Sequence, residues 1–147
     1  MKKDTEAWLA YAEENLASAD ILLQSRLFNP CLQNVQQSVE KFLKAVIIEK
    51  AAGLTRTHSI RQLSGNVINL GVIVTISDDD IDLLDSIYLP SKYPAFSVLP
   101  NFMPDEEICR HCVSIAMVVK ADVLRAIVGM NTPLKENWEF IERNMKL

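Results

Sequence analysis

Apolar side chains recur along most of this chain at intervals of three and four residues, the spacing that puts them on one face of an α-helix. Trp8, Ala12, Leu16, Ala19 and Leu23 follow that rule, with Glu6, Glu13, Glu14 and Asp20 between them. The pattern predicts an amphipathic helix from Asp4 to about Ser25, with Asp4 as its cap. Leu32, Val35, Val39, Phe42 and Val46 predict a second helix from about Pro30 to Ala52, stopped by Gly53. A short third helix is expected from Thr57 or Ser59 to the Gly65–Gly71 region, and a fourth from Ser77 and its acidic first turn "DDD" to the residue before Pro90.

The next segment, "YLPSKYPAFSVLPNFMP", carries four prolines in seventeen residues and reads as an ordered loop pinned by aromatics. Pro104, at a first helical position ahead of Asp105, Glu106 and Glu107, opens a long fifth helix to about Val128. Thr132-Pro133 repeats the start signal for a short terminal helix bearing Trp138. Only "GVIVTI" hints at alternation, and it reads equally as a helix end and a connector. The expected fold is therefore all-α, a helical bundle of four to five main helices over residues 1–130, followed by a short C-terminal helix and tail over 131–147.

On the fifth helix Ile108, Cys112, Ile115 and Val119 share one face while Val113, Met117 and Leu124 point elsewhere. A helix apolar on several sides suggests a subunit interface, and a homodimer is expected. The longest apolar stretch, "VSIAMVVKADVLRAIVGM", is broken by Lys120, Asp122 and Arg125, so no membrane span is expected where about 18 uncharged residues would be needed.

Composition adds limits. The chain has 147 residues, 49% hydrophobic and 23% charged, enough for one domain with a real core. Three cysteines and no leader-like pattern at "MKKDTEAWLAYAEENL" argue for a reducing, cytoplasmic setting over a disulfide framework. The net charge of −4 gives no chain-wide attraction to phosphates, so any anion binding needs a local basic cluster.

Two motifs invite over-reading. "CRHC", Cys109 to Cys112, resembles half of a metal site, but only Cys31 and His58 remain to complete it. His111, moreover, would point about 200° from Cys109 on a helix. These are expected to be packing cysteines beside an exposed Arg110-His111, with no metal. "SVEK", Ser38 to Lys41, matches the SxxK of serine acyl-enzymes but lacks their other motifs.

The cluster that the charge argument requires lies elsewhere. On the second helix Gln33, Gln37, Lys41 and Lys44 fall within about 80° of one another, a polar, cationic ridge, with Glu40 able to pair with Lys44 at i,i+4. Directly after it, "GLTRTHSIRQL" supplies Arg56, His58 and Arg61 at the start of the next helix, where backbone N–H groups favour anions. A solvated helix face accounts for such a ridge equally well; the convergence of both elements favours a phosphate-bearing ligand.

"QQSVEKFLKAVI", Gln36 to Ile47, then "RTHSIRQL", then "YLPSKYP" resemble, in that order, the HEPN domain family, in its branch related to nucleotidyltransferase substrate-binding subunits. The resemblance spans about Leu9 to Ile127. It implies an up-and-down helical bundle, frequent homodimerisation, pairing with a minimal nucleotidyltransferase in toxin–antitoxin modules, and a nucleotide or RNA ligand. No cofactor is implied beyond an ATP- or GTP-type ligand.

Two departures shape the functional expectation. HEPN ribonucleases use an arginine, four to six residues and then a histidine, flanking an RNA phosphate. His58 has Ala51 to Gly53 at those offsets and His111 has Pro104 to Glu106, so neither has the arginine. In the loop, Lys92 stands for the family's arginine and Ala95 for its acid. The leading expectation is a non-catalytic protein binding a nucleotide or other phosphate-bearing ligand through Gln37, Lys41, Lys44, Arg56, His58, Arg61, Lys92 and Tyr93, as partner of a small nucleotidyltransferase. The alternatives are a ribonuclease toxin with a divergent site, using His58 as acid or base and Arg56 or Arg61 for the phosphorane, and a purely structural dimeric module.

Overall fold

The structure, a computed structural model, describes residues 1–51, 53, 56–92 and 103–129, with the backbone path alone for 89–92. Among these residues it forms five helices and no strand: α1 (Lys3–Gln24), α2 (Phe28–Lys50), α3 (Ile60–Asn69), α4 (Asp78–Lys92) and α5 (Glu106–Val128). The terminal helix expected around Trp138 and the aromatic loop beyond Lys92 lie outside the described residues.

Helix α2 is the hub. Leu32, Val35, Val39, Phe42 and Val46, its expected stripe, are all buried, and so are Leu43, Ala45 and Ile47 on its other sides. It packs against each of the other four helices, which is why its buried residues spread over more than one face. Its pairing with α1 is antiparallel, since the cross-links join residues in reverse order: Thr5 to Glu49, Ser38 to the Ala12 carbonyl, and Asn15 to Asn34. The Ser38 hydroxyl is fully buried and donates to that carbonyl at 2.8 Å, so the SxxK resemblance resolves into a packing contact.

Several helix ends differ from the expected ones for identifiable reasons. Asp4 sits in the first turn of α1 and does not cap it; the cap residue is Lys2, whose backbone N–H donates to Glu49. Pro30 falls within the first turn of α2, where its missing N–H removes no helical bond. That helix ends at Lys50, with Ala51 already extended, before Gly53 is reached. Pro104 precedes the cap of α5 and does not start the helix; Asp105 is the cap, accepting from the Ile108 N–H at 2.9 Å. Ser77 caps α4 as expected, accepting from the Asp80 N–H. The α4 helix, however, runs through Pro90 to Lys92. A proline that close to a helix end forfeits one bond and its ring disturbs one turn, which shortens the helix without stopping it at once.

The two short connections use the same device. After α1, the N–H groups of Leu27 and Arg26 bond back to Leu22 and Leu23; after α3, those of Val72 and Gly71 bond back to Val67 and Ile68. Each is a paired 6→1 and 5→2 helix ending that needs one residue in the left-handed region. Gly71 takes it at φ 83° and Arg26 at φ 59°. "GVIVTI" is the connector that follows α3 and contains no strand. It is anchored by Asp122 of α5, which accepts from the Thr75 N–H and Oγ1 at 2.8 Å each.

Helix α5 is more internal than a surface reading implies. Val113 and Leu124, expected to point away from the core face, are both buried, leaving Met117 and Val118 as its large exposed apolar side chains. Cys31, Cys109 and Cys112 are buried free thiols. Burial pushes Cys31 up to about 11 and Cys109 and Cys112 up to about 12, which keeps all three protonated and inert near neutrality. His111 lies on the exposed side and ties α5 to α4 through Asp80 at 2.8 Å. Among the described residues no grouping of His, Cys, Asp and Glu suits a metal ion, and no helix is long and apolar enough to cross a membrane.

An added Cβ at Gly71 meets nothing within 4 Å, so the cost of a side chain there is purely that of the left-handed backbone. Gly71→Ala is expected to lower stability by about 1–2 kcal/mol in urea denaturation, with an unchanged m-value.

Candidate functional site

On α2, Gln36, Glu40 and Lys44 stand at i, i+4 and i+8 and therefore on one line along the helix. That line faces the segment leading into α3, so its polar groups are taken out of water. Glu40 is 7% exposed and Lys44 5%, and a carboxylate and ammonium that deep must satisfy each other. Lys44 Nζ donates to Glu40 Oε1 at 2.7 Å, and Gln36 Nε2 donates to Oε2 at 3.2 Å. The same Oε1 contacts His58 Nδ1 at 2.7 Å. Gln36 Nε2 also reaches the His58 carbonyl at 3.5 Å, so both the ring and the backbone of that residue are held from α2.

Aromatic rings close the cluster. Tyr88 of α4 stacks on the His58 ring, with centroids 5.1 Å apart and planes 13° from parallel. The Lys44 ammonium lies 5.6 Å from the centre of the Trp8 ring, an arrangement favoured by the negative face of the indole.

The chemistry of this arrangement follows from the acceptor. An ionised carboxylate can only accept, so His58 carries a proton on Nδ1 and turns Nε2 toward solvent; its side chain is 54% exposed. Nε2 has no hydrogen-bond partner among the described residues. Neutral His58 thus presents a lone pair there, and protonated His58 presents an N–H beside a positive charge. With the Glu40–Lys44 pair neutral as a unit, the protonated ring gives the cluster a net positive charge. Arg56, two residues earlier, is exposed and has no ion-pair or hydrogen-bond partner among the described residues.

The start of α3 is built differently from what an open anion site requires. Ser59 caps the helix, accepting from the Gln62 N–H at 3.2 Å. The Asp85 carboxylate of α4 then accepts from the Ile60 N–H at 2.6 Å, the Arg61 N–H at 3.2 Å and the Ser59 hydroxyl at 3.3 Å. The free N–H groups expected to favour an external anion are already occupied by an internal one. Arg61 points the same way, to Asp82 at 2.6 Å and Asp78 at 3.4 Å.

Of the residues singled out by sequence, the structure brings Lys44 and His58 together through Glu40, with Arg56 exposed two residues earlier in the chain. It does not bring in Lys41, whose ammonium donates to Asn15 at 2.6 Å on the α1 side, with the Tyr11 ring 5.9 Å away. Gln37 is half-buried and takes no part in the hydrogen bonds of the cluster. Lys44 belongs to a buried ion pair and not to a solvated ridge. Lys92 is placed only by its backbone, at the end of α4, and Tyr93 lies outside the described residues. Gln36, Trp8, Tyr88 and Asp85 are the participants that sequence reading missed; Glu40 reads in sequence as the i,i+4 partner of Lys44, a pair the structure forms, but not as the group that also holds His58.

Comparison with known proteins addresses the whole domain. A family model, HEPN domain, matches residues 5–126. The crystal structure of TT1696 from Thermus thermophilus superposes with a TM-score of 0.72 at 21% identity, covering 85% of this chain and 99% of its own. ST0689, an archaeal HEPN homologue, superposes with a TM-score of 0.60 at 21% identity, covering 99% of this chain and 100% of its own. At that identity the two structures speak to the fold alone. No curated protein sequence matches at a significant level.

Removing Glu40 leaves the Lys44 ammonium and the Gln36 amide without their acceptor. Glu40→Ala is expected to destabilise the fold by about 3–5 kcal/mol, and His58→Ala, at a half-exposed position, by about 1 kcal/mol or less, both measured by chemical denaturation.

Proposed function

The chain belongs to the HEPN domain family, and from that premise we propose that it is a binding module for a phosphate-bearing ligand of the nucleotide type, with Arg56 and His58 as its anchors. One observation carries the reading: a buried carboxylate fixes the half-exposed His58 ring by Nδ1 at 2.7 Å, in a segment that also carries the exposed Arg56 two residues earlier. A protonated imidazole and an arginine are charge-assisted donors, the kind that phosphate oxygens accept from best. Glu40 acts behind them, holding the ring in one tautomer and orientation. Lys44 contributes by pairing with that carboxylate at 2.7 Å and does not reach the ligand. Lys92 and Tyr93 enter the reading through the resemblance of "YLPSKYP" alone.

The motif order from Gln36 to Tyr93 supports a wider setting, in which a homodimer of this chain serves a small nucleotidyltransferase. Co-expression with such an enzyme and light scattering of the eluted complex test it; a monomer that never co-elutes removes this setting and leaves the binding site untouched.

A second reading has one specific observation in its favour. A carboxylate–imidazole pair with a free Nε2 is the arrangement that general acid–base catalysis uses, so His58 could move a proton during attack of an RNA 2′-hydroxyl. The nearest arginine, Arg56, is two residues away instead of at the spacing typical of HEPN ribonucleases. RNA digestion by the wild type that is lost in His58→Ala supports this reading; cleavage indifferent to the substitution ends it.

For the binding reading, calorimetry with ATP, GTP and their diphosphates is expected to show saturable heat for at least one. Arg56→Ala and His58→Ala should each weaken it by about tenfold or more, equivalent to about 1.4 kcal/mol. Absence of heat and of thermal shift with every nucleotide overturns the reading.

A further inference from the structure

Lys120 of α5 is 5% exposed, yet its ammonium makes no hydrogen bond among the described residues. Its nearest opposite charge, Glu13 of α1, is 3.8 Å away, beyond hydrogen-bond distance, and is itself about one-third exposed. The Lys120 nitrogen keeps some contact with solvent, since it is not among the fully buried polar atoms that lack a partner, whereas Lys44 in the same molecule is held by a carboxylate at 2.7 Å. Burial accordingly lowers the pKa of Lys120 and raises that of Glu13, each partly opposed by the attraction between them.

Lys120 lines a cleft of about 420 Å³, a volume at the lower end of those that hold small molecules. Arg125 adds a second cation to this cleft; its one ion pair is a 3.5 Å contact with Asp122. The other wall is apolar: Met117, Val118 and Ala121, of which Met117 is 40% and Val118 46% exposed. Asp122 also lines the cleft, but its carboxylate is engaged with Thr75 and Arg125. The cleft shares no residue with the His58 cluster.

We propose that this cleft between α5 and the connector after α3 binds an amphiphilic carboxylate, its head group accepting from Lys120 and Arg125 and its hydrocarbon part lying on Met117, Val118 and Ala121. The class follows from the lining. Two cations whose carboxylate partners lie at 3.5 Å and 3.8 Å offer charge-assisted contacts to an anion, and the exposed apolar wall rewards a hydrocarbon. Glu13 and Asp122 nearby disfavour a doubly charged head such as phosphate and favour a single negative charge.

Octanoate is the probe, used below its micelle concentration on the full-length chain, with octylamine and inorganic phosphate as controls. Octanoate is expected to raise the melting temperature saturably and to shift amide NMR signals at residues 117–125, while octylamine and phosphate do neither. Lys120→Met, similar in volume and uncharged, should weaken octanoate binding about tenfold or more, the scale of one lost charge-assisted contact. Val118→Glu, at an exposed position that does not threaten folding, should do the same by placing a like charge on the apolar wall, and it carries the test if Lys120→Met is unstable. The proposal is overturned by any of three results: no saturable response to octanoate, equal response to octylamine or phosphate, or undiminished binding by both variants.

Discussion

Burying the Glu40 carboxylate commits other side chains to fixed positions. An ion removed from water costs several kcal/mol unless its lone pairs are filled, and here they are filled from Lys44, Gln36 and His58. Two of those donors are on α2 itself. The third is on the segment entering α3, so the same interaction that stabilises the charge also fixes where the chain returns after α2. Tyr88 then stacks on the imidazole from α4, and the position of α4 relative to α2 becomes part of one polar unit. The candidate site is therefore a by-product of how the bundle solves a burial problem, which is why its histidine is held so rigidly on one edge and left open on the other.

Acidic groups elsewhere perform a second task, internal neutralisation. Asp85 occupies the start of α3, Asp78 and Asp82 hold Arg61, Asp80 holds His111, and Glu106 holds both Arg26 and Arg110. Among the described residues, acidic side chains thus take up Arg61, Arg26, Arg110 and His111, four of the groups that could otherwise add to a basic face. Recognition of a long nucleic-acid backbone depends on many parallel phosphate contacts, and this pattern leaves few cations for them.

Helix content is legible from apolar spacing because the packing face of each helix obeys the 3.6-residue period. The stripe of α2 and the caps at Ser59 and Ser77 follow directly from residue types. Boundaries are harder where tertiary contacts set them: Glu49 draws in the N-terminus of α1, and Ala51 turns extended ahead of the glycine. At the site, His58 and its neighbour Arg56 stand out by composition, whereas Glu40 looks like a surface partner of Lys44. Nothing in the local sequence says that this pair is buried; that depends on other helices arriving around it. Asp85 and Tyr88 are invisible for the same reason, since each meets its partner only after the chain has turned back between α3 and α4.

The Asp85 carboxylate at the head of α3 has one more implication, and it concerns competition. A tethered acceptor bonded to two backbone N–H groups and a hydroxyl acts at an effective concentration far above that of any free cellular anion. Small anions in solution therefore meet a position that is permanently taken. The backbone N–H groups that open α3 are thus committed to an internal partner before any solute arrives, and a solute that would bind there has to displace a group covalently attached to the same chain.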